Sequence, residues 1–168
     1  MIIFDASTLI LLAKVGLLRD LTSRVEIGIP PQIKGECIRG VTTDARLIEQ
    51  LVEQDNIRIL KVDEEETGEA ERLKEEFSIG EEAYALQLAK EEGFLFATDD
   101  KAAIKACKVF GVKFTTAIDF LIRVYEREEL GKEMAREKLA QLEKYGRYSS
   151  SIIEYAKGKL GGESDEDD

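Results

Sequence analysis

The chain has 168 residues and a formal net charge of −11, and it contains no histidine. This length fits one domain, or one domain with a helical appendage, and is enough to bury a proper core. Without histidine there is no Ser-His-Asp triad, no histidine general base and no histidine-bound zinc. Carboxylates must therefore do any acid–base or metal work, and their oxygens suit hard cations such as Mg²⁺ and Mn²⁺.

The first residues are apolar, but Asp5, Lys14 and Arg19 interrupt them too early for a signal peptide or a membrane span. The two cysteines, Cys37 and Cys107, have no disulfide-framework or zinc-site spacing and lie in apolar helical patterns. This pattern is typical of buried free thiols. We therefore expect a cytoplasmic protein with no membrane partner.

Strands and helices are predicted to alternate along the chain. Predicted strands cover residues 1–4, 25–29, 57–62, 94–97 and 112–114. A helix capped by Ser7 or Thr8 runs through residue 14, and further helices run through residue 39, at 44–54, 65–77 and 80–92, through residue 110 and at 117–126. Runs 1–4 and 94–97 are continuously apolar, as in central strands, whereas 57–62 alternates like an edge strand. The alternation predicts a three-layer α/β/α fold with a central parallel sheet.

Three segments are predicted: an α/β domain at 1–128, a C-terminal helical extension at 129–160 and a disordered acidic tail at 161–168. The net charge argues against binding nucleic acid by general attraction, but the tail supplies five of the negative charges. The extension carries more basic than acidic residues, with tyrosines between them. Lys144, Arg147 and Tyr148 are therefore candidate RNA contacts, and the alternative is a solvated helix pair with tyrosines packed inward.

Acidic residues stand where a parallel sheet forms its sites, at the carboxyl ends of strands. Asp5 and the pair Asp99 and Asp100 follow the two predicted central strands. Glu36 in "PPQIKGECI" and Glu82 in "SIGEEAYALQLA" fall early in helices, where the partly positive N-terminus relieves carboxylate repulsion. Clustered carboxylates without a cation weaken a fold, so the pattern indicates a divalent metal site. A solvated crevice without metal is the alternative.

Ser78 followed by Glu81 has the spacing of a capping box, in which Glu81 supports the helix start by folding back onto the Ser78 amide. This prediction leaves Glu82, rather than Glu81, free to face the crevice.

At these residues the sequence resembles the PIN-domain family. The motifs are "IIFDAST", "IKGECI", "GEEAYALQLA" and "ATDDKAAIKA", in that order over about residues 1–120. The resemblance implies a PIN-like α/β/α fold, and it assigns an acidic quartet that is both catalytic and metal-binding: Asp5, Glu36, Glu82 and Asp100. The chain departs from the family in having Glu82 where many members have Asp, and the helices from Gly131 onward lie beyond the resemblance.

The resemblance also assigns supporting roles. Ser7 and Thr98 look like the hydroxyls that orient the carboxylates, and Asp99 is an extra acid for the metal shell. Asp119 in "TTAIDFLI" is a candidate outer ligand, although an acid that stabilises a helix N-terminus is the simpler account.

The predicted function is that of an Mg²⁺- or Mn²⁺-dependent endoribonuclease acting on RNA and leaving 5′-phosphate and 3′-hydroxyl ends. Similarity to VapC-type toxins implies an antitoxin partner, similarity to archaeal RNA-processing PIN proteins implies a processing partner, and a homodimer is left open. The alternative function is a non-catalytic PIN-like binding or assembly module. An aspartyl-phosphate enzyme is disfavoured because Asp5 lacks a second Asp two residues later, and a receiver domain is disfavoured because the acidic pair comes late.

Overall fold

The computed structural model describes residues 1–162. Its strands are β1 (Ile2–Phe4), β2 (Ile27–Ile29), β3 (Ile57–Ile59), β4 (Leu95–Ala97) and β5 (Phe114–Thr115). Its helices are α1 (Ala6–Lys14), α2 (Leu18–Thr22), α3 (Pro31–Cys37), α4 (Thr43–Glu53), α5 (Glu64–Phe77), α6 (Glu82–Glu92), α7 (Lys101–Phe110), α8 (Ala117–Glu126), α9 (Lys132–Tyr145) and α10 (Ser150–Lys159).

The five strands form one parallel sheet in the order β3-β2-β1-β4-β5. β1 is the central strand and all three of its residues are buried. Its Ile3 pairs in register with Gly28 on one side and Phe96 on the other. β3 lies at an edge, with Ile57 buried and the next two residues exposed. The predicted α/β fold with a central parallel sheet between helices is confirmed.

Small side chains let α6 lie close to the sheet. Ala83, Ala85 and Ala89 are each at most 1% exposed, and α6 packs against β1 and β4. Phe4 and Phe96 are fully buried in these two strands, and burying a side chain of this size stabilises the fold by about 1.5–3 kcal/mol. The packing brings the first turn of α6 to the end of the sheet at which β1 and β4 terminate.

The chain divides into two compact units, Met1–Thr116 and the segment from Ala117 onward. The boundary predicted from the sequence followed residue 128, whereas this division precedes α8. Within the second unit, α9 packs against α8 and α10. Tyr145 and Tyr155 are 47% and 58% exposed, so these two tyrosines do not pack inward. Residues 163–168, most of the predicted acidic tail, lie outside the described residues.

The predicted start of α1 was wrong. Asp5, not Ser7 or Thr8, is the N-cap residue, and its side chain accepts a hydrogen bond from the backbone N–H of Thr8. An aspartate cap satisfies an otherwise unpaired amide of the first turn. The first acidic residue of the candidate site is therefore also part of the helix start.

The predicted capping box at Ser78 was also wrong. Ser78 ends α5 in the left-handed conformation, with φ of 52°. Glu81 precedes α6 without a side-chain cap. The chain does contain a capping box, but it lies at the start of α5, between Asp63 and Glu66. None of the helices within residues 1–162 has the length and apolar character needed to cross a bilayer.

Candidate active site

Asp5 is held in place by hydrogen bonds at its backbone and at its side chain. Its backbone N–H donates to the carbonyl of Ala97 at 3.0 Å, which continues the pairing of β1 with β4. Its Oδ1 accepts from the N–H of Thr8 at 2.9 Å and from the hydroxyl of Ser7 at 3.1 Å. Its Oδ2 accepts from the hydroxyl of Thr98 at 2.5 Å. These contacts orient a carboxyl group that is only 2% exposed.

Burial raises the pKa of Asp5 from 3.8 to about 7. The hydrogen bonds from Thr98 and Thr8 lower this pKa but do not offset the loss of solvation, and the charge of Asp99 raises it further. Desolvation disfavours the charged form of a carboxyl group. Near pH 7 the side chain therefore exchanges easily between its protonated and ionised forms, which suits a group that accepts a cation in place of a proton.

Asp99 and Asp100 follow β4 but make different contacts. Asp100 is the N-cap of α7, and its Oδ1 accepts from the N–H of Ala103 at 2.7 Å. The Asp100 N–H donates to the hydroxyl oxygen of Thr98 at 3.2 Å. Asp99 instead accepts, at Oδ2, a hydrogen bond of 2.7 Å from the hydroxyl of Thr8. This role of Thr8 was not predicted from the sequence, although the position of Thr8 three residues after Asp5 was an available signal.

Glu36 on α3 and Glu82 at the first position of α6 bring two longer side chains to the same cavity. The predicted place of Glu36 early in its helix was wrong, because Glu36 lies in the last turn of α3, where the helix N-terminus does not stabilise its charge. Both side chains are partly exposed. Partial burial raises the pKa of Glu36, and the negative charge of Glu82 raises it further, while Arg39 lowers it. The mutual repulsion of Glu36 and Glu82 indicates that they face one another. A bound cation would relieve this repulsion.

Glu82, rather than Glu81, faces the cavity, but not for the reason predicted. Glu81 accepts a hydrogen bond of 2.9 Å from Lys74 of α5 instead of capping a helix. Gly80 leaves room for the neighbouring carboxylate, because a Cβ added there would lie 3.0 Å from Oε2 of Glu82. The ion pair therefore turns Glu81 away, and the missing side chain at Gly80 accommodates Glu82.

The four acids of the predicted quartet line one cavity of about 170 Å³. Its lining consists of Asp5, Ala6, Ser7, Glu36, Glu82 and Asp100. Asp5 and Asp100 follow the ends of β1 and β4, and Glu82 lies in the first turn of α6, as expected for a cavity where parallel strands terminate. The structure thus brings together residues that are far apart in the sequence.

The donor set fits Mg²⁺ or Mn²⁺ in chemistry, because it consists of carboxylate and hydroxyl oxygens from several rigid elements. Burial is the main cause of the raised pKa at Asp5 and at Glu36, and the negative charges of Asp99 and Glu82 raise the two pKa values further. Across residues 1–162, however, no three acidic or thiol side chains are already grouped as a set of metal ligands. Ligation would therefore require the two glutamate side chains to adjust.

The remaining predicted residues lie in the second unit. Asp119 occupies the first turn of α8, Lys144 lies in the last turn of α9, and Arg147 and Tyr148 follow that helix. The Nζ of Lys144 lies 5.3 Å from the centre of the Tyr145 ring. The roles of Asp119 and of the three candidate RNA contacts stay predictions.

Both cysteines are free and buried, as predicted. Burial, as the largest effect, raises the pKa of Cys37 and of Cys107 to about 12. Because the thiolate is the reactive form, neither side chain is a nucleophile near neutral pH.

A family model described as a PIN domain (DUF3368) matches residues 1–159. The match includes the C-terminal helices, which the motifs recognised in the sequence did not cover. No curated protein matches the chain.

Three solved structures resemble the chain at low sequence identity. FitAcB from Neisseria gonorrhoeae has a TM-score of 0.48 and 15% identity, over 70% of this chain and 98% of that one. VapBC2 from Rickettsia felis, bound to a DNA fragment from its promoter, has a TM-score of 0.48 and 16% identity, over 69% and 98%. FitAB bound to an IR36 DNA fragment has a TM-score of 0.46 and 15% identity, over 70% and 95%.

Proposed function

The chain belongs to the PIN-domain family, and from this premise we propose that it is a ribonuclease that cuts phosphodiester bonds of RNA with Mg²⁺ or Mn²⁺. The observation that carries the proposal is the cavity in which the buried carboxyl of Asp5 is joined by Glu36, Glu82 and Asp100. Oxygen donors of this kind suit divalent cations that partner substrate phosphates.

The residues that would hold the metal are Asp5, Glu36, Glu82 and Asp100, with Asp99 as a further acid beside them. One or two divalent ions bound there would supply a hydroxide from bound water and offset the charge that develops on the phosphate during in-line displacement. The lining of this cavity contains no basic residue. The bound metal would therefore be the only positive charge among the lining groups.

Asp5 has two tasks in this proposal. Its hydrogen bonds with Thr98, Thr8 and Ser7 hold the carboxyl group in one orientation. Because its pKa is about 7, Asp5 must also release its proton before both oxygens carry the charge that a cation needs. Activity should therefore rise with pH as this group ionises.

Water, not a protein group, is the nucleophile. The chain has no histidine to activate a hydroxyl group, and the pKa of Cys37, about 12, keeps the nearby thiol protonated. Attack by water with release of the 3′ oxygen leaves 5′-phosphate and 3′-hydroxyl ends, as the family resemblance implies.

The test is cleavage of single-stranded RNA in MnCl₂ by the full chain and by Asp5→Asn. We expect the substitution to abolish cleavage, because asparagine keeps the size of the side chain but not its charge. Asp20→Asn, at an exposed position on α2, is the matched control and should cleave normally. End mapping should find 5′-phosphates, and equal activity of wild type and Asp5→Asn would contradict the mechanism.

A non-catalytic binding module is the alternative, and one observation favours it: residues 1–162 contain no ready-made group of three metal-ligating side chains. Calorimetric titration with MnCl₂ separates the two functions. The nuclease should bind Mn²⁺, and Asp100→Asn should lose this binding. A chain that binds no Mn²⁺ and leaves RNA intact would be the module.

Two biological settings are proposed for the nuclease, a toxin restrained by an antitoxin and an RNA-processing enzyme with a processing partner. Expression of the wild type and of Asp5→Asn in growing cells distinguishes them. Growth arrest by the wild type alone, relieved by the product of a neighbouring small reading frame, would identify the toxin. Normal growth with altered RNA ends would identify the processing enzyme.

A further inference from the structure

A second acidic cavity lies at the opposite end of α6 from the candidate active site. It has a volume of about 230 Å³ and is lined by Asp63, Glu65, Glu66, Glu69, Gln87, Glu91 and Glu92. Six of these seven residues are acidic and none is basic. Glu91 is nine positions after Glu82, which corresponds to roughly 13 Å along a helix. The PIN-family motifs do not include this cavity.

Gln87 is the feature that distinguishes this cavity from a solvated acidic surface. Its side chain is 1% exposed, and its Nε2 donates to Oε1 of Glu91 at 2.9 Å. Its Oε1 is buried and has no hydrogen-bond partner within residues 1–162. If the Gln87 amide were reversed, its oxygen would face the Glu91 carboxylate and the two would repel. The oxygen is therefore the end of the amide without a partner. Buried acceptors are normally hydrogen-bonded, so we expect a ligand to supply the donor for this oxygen.

The surrounding charges favour a cation. Glu91 and Glu92 end α6, where the helix dipole is negative and adds to the charge of the side chains. On the facing helix α5, the capping box holds Asp63 and Glu66 through one oxygen each, at 2.8 and 2.9 Å. Their carboxylates are thus held at the cavity by the helix start. Glu69 already accepts a hydrogen bond of 2.8 Å from the guanidinium of Arg72. The other carboxylates repel one another unless a positive group lies between them.

Apart from Nε2 of Gln87, which donates to Glu91, the side chains that line the cavity offer only hydrogen-bond acceptors, so the ligand should be a cation that only donates. Guanidinium has five N–H donors in a planar fork that matches carboxylates, and it is more weakly hydrated than ammonium. A metal ion is the alternative ligand, because carboxylate oxygens also suit hard cations. We propose that this cavity binds a guanidinium group, which donates to the surrounding carboxylates and, after the buried Gln87 side chain turns toward the cavity, to its Oε1.

A guanidinium group can come from a free small molecule or from an arginine side chain of a protein. Calorimetric titration of the full chain at low salt uses one probe for each source: agmatine, and a Gly-Arg-Gly peptide blocked at both ends. CaCl₂ is titrated separately as the metal probe. The variants are Gln87→Leu and Glu92→Gln, and Glu76→Gln on α5, an exposed position outside the cavity lining, is the control.

We expect Gln87→Leu to weaken binding of agmatine about tenfold or more, as for the loss of a hydrogen bond to a charged group. Glu92→Gln should weaken it severalfold without a change in folding, whereas Glu76→Gln should bind like the wild type. A thermal melt shows whether Gln87→Leu is folded, and Glu92→Gln keeps the test valid if it is not. Asp5→Asn should bind normally, so failure of the nuclease proposal does not affect this site.

Binding of the peptide with the affinity of agmatine identifies a protein arginine as the ligand, and binding of agmatine alone identifies a free cation. Three results would overturn the proposal. The first is that neither probe binds. The second is equal affinity in all variants, which indicates general attraction to an acidic chain. The third is Ca²⁺ binding that Gln87→Leu abolishes, which indicates a metal site.

Discussion

The hydroxyl of Thr98 donates to Oδ2 of Asp5 at 2.5 Å, although the two residues are 93 positions apart in the sequence. The contact follows from the pairing of β1 with β4, in which Phe4 lies opposite Ala97. Asp5 is the next residue after Phe4, and Thr98 is the next residue after Ala97. The same Thr98 oxygen accepts from the N–H of Asp100 at 3.2 Å. One buried hydroxyl thus connects two of the four proposed metal ligands.

Thr98→Val should reduce cleavage most strongly at low pH. Valine keeps the shape of threonine but removes the donor that lowers the pKa of Asp5, so this pKa rises further and less of the carboxyl is ionised at pH 7. We expect activity in MnCl₂ to fall about tenfold or more at pH 7, as for a lost hydrogen bond to a charged group, and to recover partly at pH 9. The measurement is the pH profile of RNA cleavage.

Thr115→Val is the matched control for this substitution. Thr115 lies on β5, is 1% exposed, and its hydroxyl oxygen has no hydrogen-bond partner within the described part of the chain. Removing an unpaired buried hydroxyl should leave cleavage unchanged and raise the free energy of unfolding by up to about 1 kcal/mol. A similar loss of activity in both valine variants would show that the Thr98 hydroxyl has no special role.

The stability of the metal-free protein should depend on Asp5. The folded chain holds this proton up to a pKa of about 7, whereas the ordinary value is 3.8. The resulting stabilisation is complete below pH 3.8 and is lost as pH rises through 7, a difference of roughly 4 kcal/mol for so buried a group. Asp5→Asn lacks this titration. Relative to the wild type, its free energy of unfolding should therefore rise by roughly 4 kcal/mol between pH 4 and pH 8.

Urea unfolding in EDTA measures both proteins at each pH. Asp20→Asn, which changes an exposed carboxylate, should differ from the wild type by the same small amount throughout. If the difference between wild type and Asp5→Asn also stayed constant from pH 4 to pH 8, the carboxyl of Asp5 would not be buried in the protonated form.

The sheet and the meeting of the acids were predictable because both depend on patterns that extend along the chain. Two continuous apolar runs identified β1 and β4 as inner strands, and parallel strands place the residues after them at the same edge. The protonation of Asp5 was not predictable, because it depends on the packing of α1 and β4 around one side chain. Gln87 gave a signal that was overlooked, since it interrupts the apolar run "ALQLA" of a buried helix.

The helix boundary at Ser78 was mispredicted for a different reason. A serine followed three residues later by a glutamate is a local signal for a helix start, and it precedes α6 at the expected position. In the structure Ser78 ends α5 in the left-handed conformation, and α5 packs against α6. Lys74 then binds Glu81 at 2.9 Å, which removes the second partner of the predicted box.

Ser78→Gly tests this boundary. Ser78 has φ of 52° at the end of α5, a conformation that costs a non-glycine residue about 1 kcal/mol. Glycine should therefore raise the free energy of unfolding by up to about 1 kcal/mol, as urea unfolding measures. Ser149→Gly is the control, because Ser149 is a true N-cap that accepts from the N–H of Ile152. Ser149→Gly should lower the free energy of unfolding by a few tenths of a kcal/mol. The same loss in Ser78→Gly would support the predicted capping box instead.

RNA contacts at the end of α9 predict a change in salt dependence. Lys144 and Arg147 are exposed, and if they neutralise phosphates, replacing both with glutamine should raise KM and leave kcat unchanged. For single-stranded RNA, each lost contact should reduce the slope of log affinity against log salt by about 0.7. Lys108→Gln, at an exposed position on α7, removes a positive charge elsewhere and should keep the wild-type slope. An unchanged slope in the double variant would show that neither side chain touches the RNA backbone.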